Sequence, residues 1–250
     1  MKRKYKYSFY FIVMLLIFYY LFESNETMEE SIRTRTLNND GFCVLYNPNY
    51  AINTNSYPCD QLTNDVLQKL PDDYIFIDYI YKINNVALST FHRDVTSSKY
   101  IYKTKYPIYT LILYKYDGDL LSVCPGSNKT YPFVWSSIVN ITGKYGTVFL
   151  FDSELLHAGC LNNCNKRELI QYKLCHKDDL HTLTHLHNVN INKSEKCNTS
   201  YYQNIIRKLS YYFEMPINYI LYPLMIKREN ANSIIGMIQT FIPITFYNNT

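Results

Sequence analysis

The feature that most limits the fold is a succession of short β-rich runs. They are Tyr74 to Ile83, Val86 to His92, Ile108 to Tyr116, a run to Val123 after Asp117-Gly118, Val134 to Ile141, Thr147 to Phe151, and Glu168 to Cys175. Turn-forming residues such as Asn84-Asn85 and Asp117-Gly118 separate them, and many short strands at this spacing suggest a sandwich or small barrel. Ahead of them, Asp60 to Leu70 carries Leu62, Val66, Leu67 and Leu70 on one side of a helix that Pro71-Asp72-Asp73 ends. The expected class is mainly β with flanking helices (α+β). A chain of 250 residues with 47% hydrophobic content has room for one sizeable domain plus extras. The net charge of +4 is modest and partly sits in Met1 to Lys6, so no basic stripe favours nucleic acid. Richness in Tyr, Asn, Ile and Lys points to an AT-rich genome, such as that of a large DNA virus or a parasite, and so to a viral protein as one source.

Residues 1–22 read as a basic tip and a signal-anchor transmembrane helix. Tyr7 to Phe22 runs without a charge. It is slightly short of the ~20 residues that a spanning helix wants, but Lys6 can snorkel and tyrosines suit both interfaces. A cleaved signal peptide and a buried helix compete with this reading; the Glu23-Ser24-Asn25-Glu26 sequence is a poor cleavage site. Basic residues before the segment and acids after it place the N-terminus in the cytoplasm and the domain on the lumenal or extracellular side, as a single-pass type II membrane protein. Residues 23–40 read as a polar stalk, 41–200 as the main domain, and 201–250 as an apolar, helical C-terminal extension. Within the extension, Tyr201 to Phe213 has Ile205, Leu209 and Phe213 four apart.

Chemistry concentrates in Phe91-His92-Arg93-Asp94, His157 and Arg167. In a strand, His92 and Asp94 would project together and Arg93 away from them. His157, delivered by the apolar Val148-Phe149-Leu150-Phe151 run, could supply a third ligand. Two histidines and one carboxylate on one face of an iron leave the opposite face open. Arg167 lies in an alternating stretch, Lys166 to Tyr172, and a fixed guanidinium in such a pocket can bind a carboxylate through two parallel hydrogen bonds. The plainer alternatives are a local His–Asp turn pair, a core histidine, and an exposed arginine paired with Glu168.

His-x-Asp, a distant His and an Arg ten residues later resemble the 2-oxoglutarate- and Fe(II)-dependent dioxygenases. Gly118 to Asn128, with Cys124-Pro125-Gly126-Ser127, looks like the phytanoyl-CoA-dioxygenase-like branch, although Asn128 stands where that branch usually has His. The approach Gly146 to Asp152 is also similar, and the match covers roughly residues 70 to 176. The resemblance implies a double-stranded β-helix (a jelly-roll, cupin-like core). It implies His92, Asp94 and His157 as metal ligands and Arg167 as the 2-oxoglutarate-binding residue, with no other catalytic residue. Fe(II) would be the cofactor, 2-oxoglutarate and O₂ the co-substrates, and ascorbate a further candidate. The implied activity is hydroxylation of a protein side chain, lipid or small metabolite, with succinate and CO₂ as co-products. Thr110, Tyr109 and Tyr172 are candidate hydroxyl partners of Arg167. Two other functions stay open: a catalytically inactive jelly-roll binding protein of a membrane or viral envelope, and a cupin-like metalloenzyme that does not use 2-oxoglutarate.

Other features read more plainly. Residues 177–200 are polar and loop-like, and His176, His181, His185 and His187 match no zinc-finger spacing. Seven cysteines occur; in an oxidising lumen Cys160–Cys164 and Cys43–Cys59 are the favoured pairs. Several Asn-x-Ser/Thr sequons, at Asn25, Asn128, Asn140, Asn192, Asn198 and Asn248, agree with a lumenal glycoprotein, although Asn128 lies too near the pocket to be a glycosylation candidate. Asp152 and Glu154 are expected as non-ligands.

Overall fold

The computed structural model describes residues 3–24, 26–30, 34–85, 90–131, 136–160, 167–194 and 201–214. The strands are β1 (Glu26–Glu30), β2 (Phe42–Tyr46), β3 (Tyr74–Phe76), β4 (Tyr79–Asn84), β5 (Tyr109–Tyr114), β6 (Gly118–Val123), β7 (Ile138–Gly143), β8 (Thr147–Asp152), β9 (His157–Gly159), β10 (Glu168–His176) and β11 (Val189–Ser194). The helices are α1 (Arg3–Ser24), α2 (Leu37–Asp40), α3 (Pro48–Asn53), α4 (Asp60–Leu67), α5 (Lys99–Tyr102) and α6 (Tyr201–Tyr212). The larger sheet has the order β11-β4-β10-β5-β8-β2, with β3 also on β10; the smaller has the order β1-β7-β6-β9. His92 joins the smaller sheet through an antiparallel bridge to His157.

Followed along the chain, β4, β5, β8 and β10 fall in one sheet, and His92, β6, β7 and β9 in the other. The chain crosses between sheets instead of folding as consecutive hairpins, a path consistent with a jelly-roll core. Asp117-Gly118 is one such crossing, from β5 in the larger sheet to β6 in the smaller. Gly118 has φ +131°, which glycine adopts without a Cβ clash.

Side-chain alternation explains why both faces of the larger sheet are buried. On β8, Phe149 and Phe151 point between the sheets and pack with Ile112, Tyr114, Leu121 and Val123. Val148 and Leu150 point the other way, onto Tyr50 of α3 and Leu62 and Val66 of α4. The expected helix from Asp60 therefore forms and buries Leu62 and Val66. On β10, Ile170, Tyr172 and Leu174 face the helices. The opposite parity, Leu169, Gln171 and Lys173, faces the other sheet, and Arg167 just ahead of the strand shares that parity.

Several expectations change. The stretch read as a stalk carries β1, which pairs parallel to β7 and extends the smaller sheet. The stretch read as a polar loop contains a 3₁₀ segment, Lys177–Leu186, and β11, which pairs parallel to β4; Val189 and Ile191 of β11 pack on the core, but the strand has only these two apolar residues, and Lys193 takes the third inward position. The run Val86 to His92 is not seen as a strand, since 86–89 lie outside the described residues and His92 makes only an isolated bridge. Most of 201–250 also lies outside them. Helix α6 forms, but Ile205, Leu209 and Phe213 are its exposed stripe, and Arg207, Ser210, Tyr211 and Glu214 are buried.

Among the described residues no helix is long and apolar enough to cross a membrane. Helix α1 does form over the expected stretch, but Tyr5, Tyr7, Tyr10, Tyr19 and Tyr20 punctuate its apolar run. The Cys43–Cys59 pair is not formed: β2 holds Cys43 in the core, Cys59 is the N-cap of α4, and both are free thiols. Cys164, the partner expected for Cys160, lies outside the described residues.

The buried face of α6 is polar because it grips the smaller sheet. Arg207 donates to the Gly159 carbonyl at 3.0 Å and to Ser122 Oγ at 2.6 Å. Ser210 Oγ accepts from the Phe91 amide at 2.7 Å. Arg93, fully buried and turned away from its neighbours as alternation predicts, pairs with Glu214 at 2.9 Å and donates to the Ser127 carbonyl at 2.9 Å. Breaking a buried pair on one side leaves an uncompensated charge, at a cost of about 3 kcal/mol or more. Arg93→Met should therefore lower unfolding free energy in urea by about 3 kcal/mol, and adding Glu214→Met should recover most of it; equal losses in the single and double variants would contradict this account.

Candidate metal centre and co-substrate pocket

The structure brings His92, Asp94 and His157 together. Reciprocal backbone hydrogen bonds, His92 N–H to His157 O at 2.9 Å and His157 N–H to His92 O at 3.0 Å, put the two imidazoles side by side, with ring centroids 4.4 Å apart. Asp94 lies beyond the bridge, where its amide donates to the Ser153 carbonyl at 2.8 Å and the 3₁₀ turn Val95–Ser97 begins. The three side chains offer ligand atoms within 4.8 Å of one another, and no other cluster of this kind occurs among the described residues.

Hydrogen bonds fix which atoms face inward. His92 Nδ1 lies 2.8 Å from the Thr90 carbonyl and His157 Nδ1 2.9 Å from the Leu155 carbonyl, so each Nδ1 carries the proton and each Nε2 keeps its lone pair. Those Nε2 atoms lie 3.9 Å and 3.7 Å from Asp94 Oδ1. The other oxygen, Oδ2, accepts from Lys173 Nζ at 2.6 Å and from the Thr110 hydroxyl. Lys173 also reaches Thr110 Oγ1 at 2.7 Å and Ser97 Oγ at 2.8 Å.

Electrostatics favours the metal-ready protonation state. Burial, reinforced by the neighbouring His92 imidazole, pushes His157 down to about 4 against the pull of Asp94. Burial also lowers His92. For Asp94, burial acts upward, but Lys173 and the two imidazoles outweigh it and hold the carboxyl well below its usual range. Neutral imidazoles with an ionised carboxylate are the donor set a hard-to-borderline dication needs, and a His₂-carboxylate set with open positions suits non-heme iron(II).

Arg167 is buried, 4% exposed, and not paired with Glu168, which lies 3.9 Å from Lys115 instead. Its Nη atoms make only long contacts, 3.4 Å to the Cys160 carbonyl and 3.5 Å to the Leu120 carbonyl. Among the described residues its Nε has no partner, and the same is true of the fully buried Tyr114 hydroxyl nearby. Burial raises Tyr114 far above its ordinary range, while the Arg167 charge pulls the other way. Unsatisfied buried donors of this kind fit an anionic group delivered by a ligand. The Cys160 and Leu120 carbonyls lie on the smaller sheet's side: Leu120 is in β6, and Cys160 directly follows β9, which begins at His157.

Thr110, Tyr109 and Tyr172 do not serve as partners of Arg167. Thr110 bonds Asp94 and Lys173, Tyr172 donates to the Ser56 carbonyl on the outer face, and Tyr109 packs with Tyr74 on that face. Asp152 accepts from the Asn128 amide and Glu154 is bonded by Ser98, so neither acid is in the ligand cluster, as expected. His176 stacks on Tyr106 and His185 bonds the Thr96 carbonyl. Sequence reasoning missed Lys173 and Tyr114. Parity could have found Lys173, which stands six residues past Arg167 and so on the same face of β10.

No family model matches this chain, and no curated protein does. Solved structures do. EvdMO1 matches over 57% of this chain and 49% of its own, with 14% identity and TM-score 0.41. SnoN, a non-heme alpha-ketoglutarate-dependent epimerase from nogalamycin biosynthesis, matches over 56% of this chain and 79% of its own, with 12% identity and TM-score 0.40. Apo HygX from Streptomyces hygroscopicus matches over 56% and 84%, with 14% identity and TM-score 0.41. The match spans about half the length of EvdMO1, and HygX has also been solved with iron and with nickel and 2-oxoglutarate. Likeness at this level carries nothing about chemistry, which rests on the side chains above. The narrower likeness to the phytanoyl-CoA branch rests on the sequence stretches Gly118 to Asn128 and Gly146 to Asp152, and these comparisons add nothing to it.

Because His157 is held near 4, protons should not compete with a metal at neutral pH. Cobalt(II) affinity, measured by titration, should hold as pH falls through the ordinary histidine value and be lost only below it, since both imidazoles are lowered; an unshifted histidine would already show loss near 6.5. Loss of affinity beginning at that ordinary value would refute the burial argument.

Proposed function

We propose that the protein is an Fe(II)- and 2-oxoglutarate-dependent oxygenase that hydroxylates a C–H bond, with succinate and CO₂ as co-products. The observation that carries this reading is the pairing of two buried features on the facing sheets. One is a complete His₂-carboxylate donor set, His92, Asp94 and His157. The other is a buried guanidinium at Arg167 with an unsatisfied donor. A binding protein without chemistry has no use for both, and a metalloenzyme that ignores 2-oxoglutarate leaves the Arg167 donor unexplained.

The chain's own residues divide the work. His92 and His157 present Nε2, and Asp94 presents Oδ1, toward a common point. Iron(II) held there supplies the redox chemistry that couples O₂ reduction and 2-oxoglutarate decarboxylation to substrate oxidation. Arg167 receives the distal carboxylate of 2-oxoglutarate, and Tyr114 is placed to donate a second hydrogen bond to it. Phe149, Phe151, Val123 and Leu121 line the space between the sheets and keep water out. Ascorbate would act as a reductant that keeps the iron ferrous.

A further part of the reading is that α1 holds the domain at a membrane; the lumenal or extracellular side for the domain rests on the basic residues before the segment and the acids after it. The aromatic and aliphatic side chains of α1, among them Phe9, Phe11, Ile12, Leu16 and Ile17, are exposed on every side.

Purified protein should release succinate from 2-oxoglutarate only with Fe(II), and His92→Ala or Asp94→Ala should abolish it. Arg167→Ala should raise the KM for 2-oxoglutarate at least about 100-fold, and Tyr114→Phe about tenfold, in line with losing a charged and a neutral hydrogen bond. Succinate release that persists in the ligand variants would refute the assignment. In vesicle flotation the whole chain should rise with lipid, and Leu16→Arg with Ile17→Arg should release it; unchanged flotation would exclude α1 as the contact.

A further inference from the structure

Lys173 is the least expected residue in the site. It stands on the inner face of β10 opposite Thr110 in the strand register, 1% exposed. A buried ammonium is costly unless each donor is met. Here all three are: Asp94 Oδ2 at 2.6 Å, Thr110 Oγ1 at 2.7 Å and Ser97 Oγ at 2.8 Å. Ser97 is itself fixed by Ser153 Oγ at 2.9 Å. Asp94 Oδ2 therefore has two donors, Lys173 and the Thr110 hydroxyl. Asp94 Oδ1 faces the two Nε2 atoms.

We propose that Lys173 is a positioning residue that, with Thr110, captures one oxygen of Asp94 so that the carboxylate can offer a metal only the other. The inference rests on the oxygenase reading. A carboxylate can bind a cation through one oxygen or two. Two-oxygen binding by Asp94 would fill a position that the reaction needs, because a chelating keto acid takes two places and O₂ a third on the open face. Holding Oδ2 in the wall keeps that face free. The same ammonium draws charge from the carboxylate, so the site trades some grip on the dication for a defined geometry. An apolar side chain would fill the space at lower desolvation cost but would do neither.

Lys173→Met, near in shape but without the charge, tests this in the whole chain with cobalt(II) as the probe. Dissociation constants are measured for cobalt(II) and then for 2-oxoglutarate on the cobalt-loaded protein, and the cobalt absorption spectrum reports coordination. The expected result is a split: cobalt(II) held at least as tightly as in wild type, 2-oxoglutarate weakened about tenfold or more, and a changed visible spectrum before 2-oxoglutarate is added. Equal loss of both ligands would mark Lys173 as merely structural and overturn the proposal, and so would no change in either. Where circular dichroism shows Lys173→Met unfolded, Thr110→Val decides in its place, with a smaller split in the same sense expected and no split overturning the idea. Wild-type protein that takes up cobalt(II) but not 2-oxoglutarate, or neither, would instead overturn the oxygenase reading and this proposal with it.

Discussion

Two backbone hydrogen bonds between His92 and His157 set the terms for everything else in the site. They join residues 65 positions apart and place both imidazoles at one edge of the smaller sheet. Side-chain contacts alone could not hold the rings so closely, since each imidazole retains rotamer freedom. The backbone bridge fixes the Cα positions, and the Nδ1 contacts to Thr90 and Leu155 fix the ring planes. With the rings settled, Asp94 needs only the short turn into Val95–Ser97 to close the cluster. The inter-sheet core of Phe149, Phe151 and Val123 keeps that edge from separating.

The interior of this protein holds an unusual number of cations. Arg93, Arg167, Lys173 and Arg207 are all at most 4% exposed. Three of them are answered by protein: Arg93 by Glu214, Lys173 by Asp94, and Arg207 by Ser122 and the Gly159 carbonyl. Arg167 has no carboxylate or side-chain acceptor among the described residues, and its Nε and the neighbouring Tyr114 hydroxyl are without a partner there. That difference separates a cation that braces the fold from one that awaits a ligand.

Much of this was legible in the sequence where local pattern and tertiary role coincide. Thr147 to Phe151 reads as a buried strand because β8 is covered on both faces, and Leu62 with Val66 reads as a helix face because α4 packs as an amphipathic helix should. His92, Asp94, His157 and Arg167 were found from type and spacing, and the fold brings the first three into one cluster. What was not legible involved partners distant in sequence. β1 looked like a tether because an edge strand of polar residues carries no hydrophobic period. β11 hid because only Val189 and Ile191 of its inward positions are apolar. The stripe Ile205, Leu209 and Phe213 has textual regularity but faces outward, because the polar face of α6 has specific acceptors waiting on the smaller sheet. Tyr114 and Lys173 stand in strands, where a tyrosine or lysine reads as filler until the opposite sheet is in place.

Arg93 stands in the chain between two of the clustered residues, yet its side chain ends on Glu214 near the last described turn of α6. The motif and the C-terminal helix are thus mechanically one piece, like a keystone mortared from behind. A graft that moved the two sheets alone to another scaffold would carry the ligands but leave a bare guanidinium behind them, and the pocket's geometry would go with the missing helix.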